Sequence, residues 1–180
     1  SAAMYLDDDP GVLVSACLFG DGAGAAVLSG SPSSGRRRIR WQDSESLLDP
    51  ARREALMFEQ RGGMLRNVLT RPVPQLAATY ACQVLETVLR RAGLDVSRIA
   101  AWIMHAGGRD VLHALEERLQ LPPRELRHSA AMLREYGNLS SAFVYFVLQA
   151  ALAGGAAGGW WWLGTFGAGF SSHGALLRVD

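Results

Sequence analysis

One stretch of the chain restricts its fold more than any other. From Gln75 to Arg91 the positions Leu76, Tyr80, Val84 and Val88 recur every fourth residue, with Leu85 and Leu89 widening the apolar face and Gly93 supplying a stop. That periodicity predicts an amphipathic helix. Soon after it, Arg98–Met104 (RIAAWIM) is a short apolar run bounded by polar residues, the pattern of a strand buried on both faces. Such a strand beside such a helix argues against an all-helical bundle or a sandwich and for a layered α/β arrangement, a mixed sheet flanked by helices. In folds of that kind chemistry collects beyond the carboxyl ends of strands. His105 stands at one such end.

The rest of the chain continues the alternation. Gly107 and Gly108 open a helix in which Leu112, Leu115 and Leu119 share a face until Pro122 and Pro123 end it. After Ala130–Tyr136, a turn at Gly137 and Asn138 starts a helix over Ser140–Leu152 that is apolar on nearly every side, as a helix buried between layers would be. Ala153–Gly159 is a linker. Strands are expected at Trp160–Phe166 and Ala175–Val179, around a glycine-rich bend that places Gly167 at a second strand end. Towards the N-terminus, Asp7–Gly11 reads as a turn, Val12–Phe19 as an apolar stretch and Ala25–Leu28 as a short strand following GDGAG. Ser29–Gly35 is the strongest loop and the best internal boundary, and beyond it Arg36–Trp41 is compatible with strand alternation.

Composition removes several classes of function. Among 180 residues, 18 basic side chains against 17 acidic ones leave a net charge of +1, no footprint for nucleic acid or anionic lipid. Every one of those cations is arginine, so this chain offers neither a Schiff-base lysine nor a phosphate-binding P-loop lysine. Cys17 and Cys82 are too few for a disulfide framework or a structural zinc site, and a reducing cytoplasm suits them. No apolar run reaches the ~18 residues of a membrane span. Asp7, Asp8 and Asp9 lack the alternating spacing of a calcium loop, and GDGAG lacks the GxGxxG register of a dinucleotide site. Neither a metal nor a resident cofactor is expected.

Two residues stand out chemically. His105, in WIMHAGG, has two glycines beside it that leave room for a ligand to approach. Alone it reads first as a core histidine bonded to a carbonyl. Asn138, in EYGNLSSA, alone reads as a helix cap. Together, at a strand end and a helix start, they can aim two hydrogen-bond donors at one carbonyl oxygen. His113, His128 and His173 fit structural roles better.

Four blocks, LFGDGAGAAVLSG (Leu18–Gly30), WIMHAGG (Trp102–Gly108), LREYGNLSSA (Leu133–Ala142) and GTFGAGF (Gly164–Phe170), taken together in this order, resemble the C-terminal part of the chalcone and stilbene synthase family. These are the type III polyketide synthases, of the thiolase fold. The resemblance implies decarboxylative condensation of malonyl-CoA onto an acyl-CoA starter, with coenzyme A thioesters as substrates. His105 matches the family's catalytic histidine and Asn138 its asparagine, which hold the thioester carbonyl and stabilise the enolate. Phe19 matches a gatekeeping phenylalanine between tunnel and cavity. Gly107, Gly108 and Ser140 match positions lining the coenzyme A tunnel, and Gly167 and Gly169 the loop that shapes the cyclisation cavity. It also implies a homodimer once the protein is complete.

The departures are informative. Asn67 stands where plant members carry a second gatekeeping phenylalanine, and GAGFS at Gly167–Ser171 replaces the plant GFGPG, which points to a bacterial-type member. The family's nucleophilic cysteine lies in an N-terminal half upstream of everything present here. Residues 1–30 are then expected to be the tail end of that half, and 36–180 the C-terminal half. Cys17 and Cys82 read as packing residues. Arg36, Arg37, Arg38 and Arg40 read as a solvated face, and Arg109 as a helix-surface ion pair or a phosphate contact. Two alternatives remain open at this point: a condensing enzyme resembling β-ketoacyl-carrier-protein synthase III, and a folded but inactive domain fragment.

Overall fold

The computed structural model describes residues 10–31, 37–61, 64–122 and 124–180. Its centre is a four-stranded mixed sheet in the order β1 (Ile39–Leu48), β6 (Ser171–Val179), β5 (Gly159–Gly167), β4 (Ile99–Met104), flanked by helices. β4 and β5 run parallel, while β6 is antiparallel to both β5 and β1. The parallel pair needs a long crossover. Helices α3 (Arg109–Leu119), α4 (Arg127–Tyr136) and α5 (Phe143–Ala153) supply it. The tight Gly167–Ser171 connection then closes the β5–β6 hairpin.

The predicted amphipathic helix is α2 (Val73–Ala92). It buries Ala77, Ala81, Val84, Leu85, Val88 and Leu89 and lies across β6 and β1. Gly93 ends it in the left-handed conformation at φ 63°, its N–H reaching back to the last carbonyls. On the sheet, β5 turns alternate side chains to opposite faces. Trp162 faces α2 above Gly174, where a Cβ would come within 2.2 Å of the indole, so the sheet accepts a tryptophan there because β6 carries no side chain beneath it. Trp161 and Trp162 are both fully buried.

Several expectations need correction. Ala25–Leu28 forms no strand: among the described residues no strand pairs with it, the chain before it passes over α5, with Gly22 and Gly24 against Phe146 and Tyr145, and a strand without a neighbour has no ladder to join. Val27 is 95% exposed. The apolar stretch after Pro10 is helix α1 (Pro10–Leu18), which Pro10 opens at the first helical position. The expected turn at Asp7–Gly11 lies outside the described residues up to Asp9, as does most of the loop at Ser29–Gly35. The helix expected from Ser140 begins at Phe143 after a 3-10 turn at Ser140–Ala142, and only one side is buried, through Phe143, Val144, Val147 and Ala151. Finally, β2 (Leu56–Arg61) and β3 (Met64–Leu69) form a separate antiparallel hairpin that the sequence reading did not anticipate. Among the described residues no helix is long and apolar enough to cross a membrane.

Candidate active site

His105 follows the last residue of β4, and its N–H donates to the Gly164 carbonyl of β5 at 2.8 Å, extending the parallel ladder by one bond. The side chain therefore emerges at the carboxyl edge of the sheet, where the layered fold places ligand chemistry. Its ring sits between the edge of Phe143 (centroids 5.4 Å, planes at 80°) and Phe166 (5.0 Å, 49°). Nδ1 is sealed from solvent with no hydrogen-bond partner among the described residues. Burial pushes the imidazole pKa down to about 4, and no charged neighbour contributes. The ring is neutral at physiological pH.

Asn138 is fixed from every side. Gly137 at φ 71° turns the chain out of α4. The Asn138 N–H donates to Leu18 O at 2.8 Å and its carbonyl accepts from Gly20 N–H at 3.0 Å, which sets Phe19 alongside it as a one-residue parallel bridge. In the side chain, Oδ1 accepts the Ser140 N–H at 2.8 Å and Nδ2 donates to Gly107 O at 3.1 Å. A backbone N–H can only donate, so the Ser140 contact decides which end of the amide is oxygen. Each Nδ2 has two hydrogens, and the Gly107 bond uses one.

These residues meet around one cavity of about 650 Å³. Phe19, His105, Gly107, Gly108, Asn138, Ser140 and Gly167 all line it, as do Asn67 and Arg109. Gly169 does not. It lies in the β5–β6 turn at φ 136°, where a Cβ would be strained, so its contribution is to the shape of the turn. The opposite wall is the hairpin, whose cross-strand pairs Leu56–Leu69 and Phe58–Asn67 turn the same face to the cavity. Val73 and Pro74, at the start of α2, continue that wall. The Asn67 Oδ1 is buried, with no hydrogen-bond partner among the described residues. Sequence reading placed Asn67 here but missed Leu56, Phe58 and Leu69. A signal for the hairpin existed: Gly62 and Gly63 between two strand-like runs is a hairpin turn pair.

Of the remaining candidates among the described residues only Arg109 borders the cavity. Cys82 donates to Glu86 Oε1 at 3.2 Å, and burial raises its thiol pKa, as expected of a packing residue. Cys17, expected to pack, is exposed on α1. Arg109 pairs with the adjacent Asp110 at 3.5 Å, both largely exposed. His113 is near Glu116 on α3, and His173 Nδ1 is 2.8 Å from Ser46 Oγ across β6 and β1. Among the described residues no group of three or more His, Cys, Asp and Glu side chains could hold a metal ion.

Comparison with known proteins identifies the family and the fold. The chain is 32% identical over 147 residues to a 3,5-dihydroxyphenylacetyl-CoA synthase of Amycolatopsis orientalis, an alignment covering 81% of this chain and 40% of that protein. Its structure superposes with a TM-score of 0.85, at 31% identity, on the crystal structure of 1,3,6,8-tetrahydroxynaphthalene synthase from Streptomyces coelicolor A3(2), a bacterial type III polyketide synthase. That match covers 97% of this chain and 50% of the other, so the chain spans half or less of the length of these relatives. The sequence model of the C-terminal domain of chalcone and stilbene synthases matches residues 50–179, and the chain therefore belongs to the chalcone and stilbene synthase family.

Proposed function

We propose that this chain is the C-terminal half of a type III polyketide synthase and contributes the histidine and asparagine of its condensing site. The observation that carries this reading is the convergence of a neutral, buried imidazole and an oriented carboxamide on one cavity. In malonyl-CoA, breaking the C–C bond to the carboxylate releases carbon dioxide and sends the electron pair through the α-carbon to the thioester oxygen. Two fixed donors at that oxygen stabilise the enolate more than the ground-state carbonyl. His105 serves as one through Nε2–H. With Nδ1 sealed and unpartnered, this tautomer leaves an unpaired lone pair there, and a buried N–H without an acceptor is the rarer and costlier arrangement. The free Nδ2 hydrogen of Asn138 serves as the other. The enolate carbon then attacks an acyl group held as a thioester on a cysteine, and the cysteine thiolate leaves.

That cysteine belongs to the N-terminal half, of which residues 1–30 are the closing segment and which residues 36–180 complete. Starter acyl-CoA and malonyl-CoA enter past Phe19, Gly107, Gly108 and Ser140, no resident cofactor is needed, and the assembled protein is a cytoplasmic homodimer. In the complete protein, His105→Ala or Asn138→Ala is expected to lower malonyl-CoA decarboxylation about 10²- to 10³-fold while self-acylation by the starter persists. Radiolabelled carbon dioxide release and mass spectrometry of the acyl-enzyme separate the two steps. Equal loss of both in a folded variant refutes the donor roles. The 180 residues alone are expected to show no condensation with any acyl-CoA and malonyl-CoA pair, and turnover by them would refute the absent nucleophile.

A further inference from the structure

A histidine that must aim one nitrogen usually has its other nitrogen tied to a carbonyl or carboxylate, which fixes the ring. His105 has no such tie, since Nδ1 is without a partner among the described residues, and packing alone orients it. Phe166 is one of the two rings that do so, and it lies nearly parallel to Phe170 (centroids 6.0 Å, 9°). Phe170 is fully buried and meets Tyr80 of α2 at 5.6 Å. The Tyr80 hydroxyl donates to the carboxylate of Asp49.

Asp49 closes the circuit. Its N–H donates to Phe170 O at 2.8 Å, its carbonyl accepts the Phe170 N–H at 3.1 Å, and its Oδ1 accepts the Ala51 N–H at 3.0 Å. The turn it grips contains Gly167, Ala168 and Gly169, which have almost no side chain with which to anchor themselves. Phe166 and Phe170 are the turn's only large side chains, and Phe170 is held by Asp49 through its backbone and by Tyr80 through its ring.

We propose that Asp49 and Tyr80 are positioning residues for His105: they clamp the β5–β6 turn so that Phe166, stacked on Phe170, holds the imidazole at its working angle. The bond that does this is strong, because the carboxylate is an ionised acceptor, and it raises the Tyr80 pKa, an effect that Arg52 partly offsets. The inference rests on the role given to His105 above, but its test reads the ring itself.

The 180-residue chain is prepared as wild type, Tyr80→Phe, Asp49→Ala and Asp49→Asn, with folding checked by circular dichroism, and the His105 ring signals are followed by NMR through a pH titration. Tyr80→Phe keeps the ring and its packing, so it tests the clamp even where Asp49→Ala fails to fold. Releasing the turn is expected to let water reach the imidazole, moving its titration midpoint from about 4 towards the ordinary 6.5 by roughly half a unit or more and shifting its ring-current-displaced signal. In Asp49→Asn one oxygen remains for the Ala51 N–H, and the Nδ2 that replaces the second oxygen can only donate, to the Tyr80 hydroxyl oxygen, so a weaker neutral contact persists and the shift is expected to be clearly smaller than in Asp49→Ala. An unchanged His105 signal in folded Tyr80→Phe overturns the proposal, as does an Asp49→Asn shift equal to that of Asp49→Ala. A fully active His105→Ala in the complete protein would overturn the catalytic reading and leave this ring measurement standing.

Discussion

The two walls of the cavity are built differently. On one side stand His105, Gly107, Asn138 and the Gly167 turn, each tied to the central sheet or to a neighbouring backbone by bonds of 2.8–3.1 Å. On the other stand Leu56, Phe58, Asn67 and Leu69, side chains on a two-stranded ribbon outside the main sheet. Phe58 is 54% exposed and Leu69 48%, whereas His105 and Asn138 are buried. The first wall holds donors at fixed angles. The second presents apolar surface and the buried amide oxygen of Asn67, which has no partner among the described residues. Rigidity accompanies chemistry, and the looser ribbon accompanies shape.

The contrast can be broken most sharply by acid. The folded pKa of His105 is depressed to about 4 against 6.5 when unfolded, so the unfolded chain takes up a proton first as pH falls. Stability from this group is complete above pH 6.5, declines as pH drops, and by pH 4 has fallen by about 3 kcal/mol. Urea unfolding of wild type and His105→Gln at pH 7 and pH 4 measures it. The wild type should lose about 3 kcal/mol more than the variant. His128, also depressed by burial, remains in both proteins and cancels in the difference.

A smaller effect separates two adjacent glycines of the same wall. A Cβ on Gly107 would lie 2.7 Å from the Phe166 ring tip, while one on Gly108 meets nothing within 4 Å. Gly107→Ala should cost about 1–3 kcal/mol as Phe166 is displaced against His105, and Gly108→Ala should stay within about 0.5 kcal/mol of wild type. Thermal melting of the two variants side by side decides it. The smallest stability effect is expected on the ribbon. Phe58→Ala should change stability by no more than about 0.5 kcal/mol. On the function proposed above, Phe58→Ala in the complete protein should alter product lengths while leaving malonyl-CoA decarboxylation intact, so a parallel fall in decarboxylation would erase the distinction between the walls.

The same difference explains what was legible in the sequence. α2 and β4 were readable because burial on one face or on two writes a period of 3.6 or an unbroken apolar run. The predicted helix at Gln75–Arg91 is observed at Val73–Ala92, and the predicted strand at Arg98–Met104 is observed at Ile99–Met104. That His105 and Asn138 share one cavity could be expected only from the two sequence blocks taken together, because one histidine or one asparagine carries no periodicity. The ribbon was overlooked because Leu56–Leu69 mixes apolar, charged and amide residues, and its register comes from pairing rather than from a buried face. Ala25–Leu28 failed in the opposite sense: its composition suits a strand, but nothing among the described residues pairs with it. Asp49 could not be found at all from sequence, since its partners Tyr80 and Phe170 are remote along the chain.

The depressed basicity of His105 also bears on how the reaction would partition. An enolate formed in this cavity has two fates, attack on an acyl carbon or quenching by a proton to give a dead-end acetyl thioester. A protonated imidazole would favour quenching. With a pKa near 4, His105 carries no acidic proton at pH 7, so it can offer a hydrogen bond but is a very poor proton source. On the reading proposed here, burying the imidazole between two phenylalanine rings protects the carbon nucleophile from waste, and chain extension gains its yield from an acid that the site declines to supply.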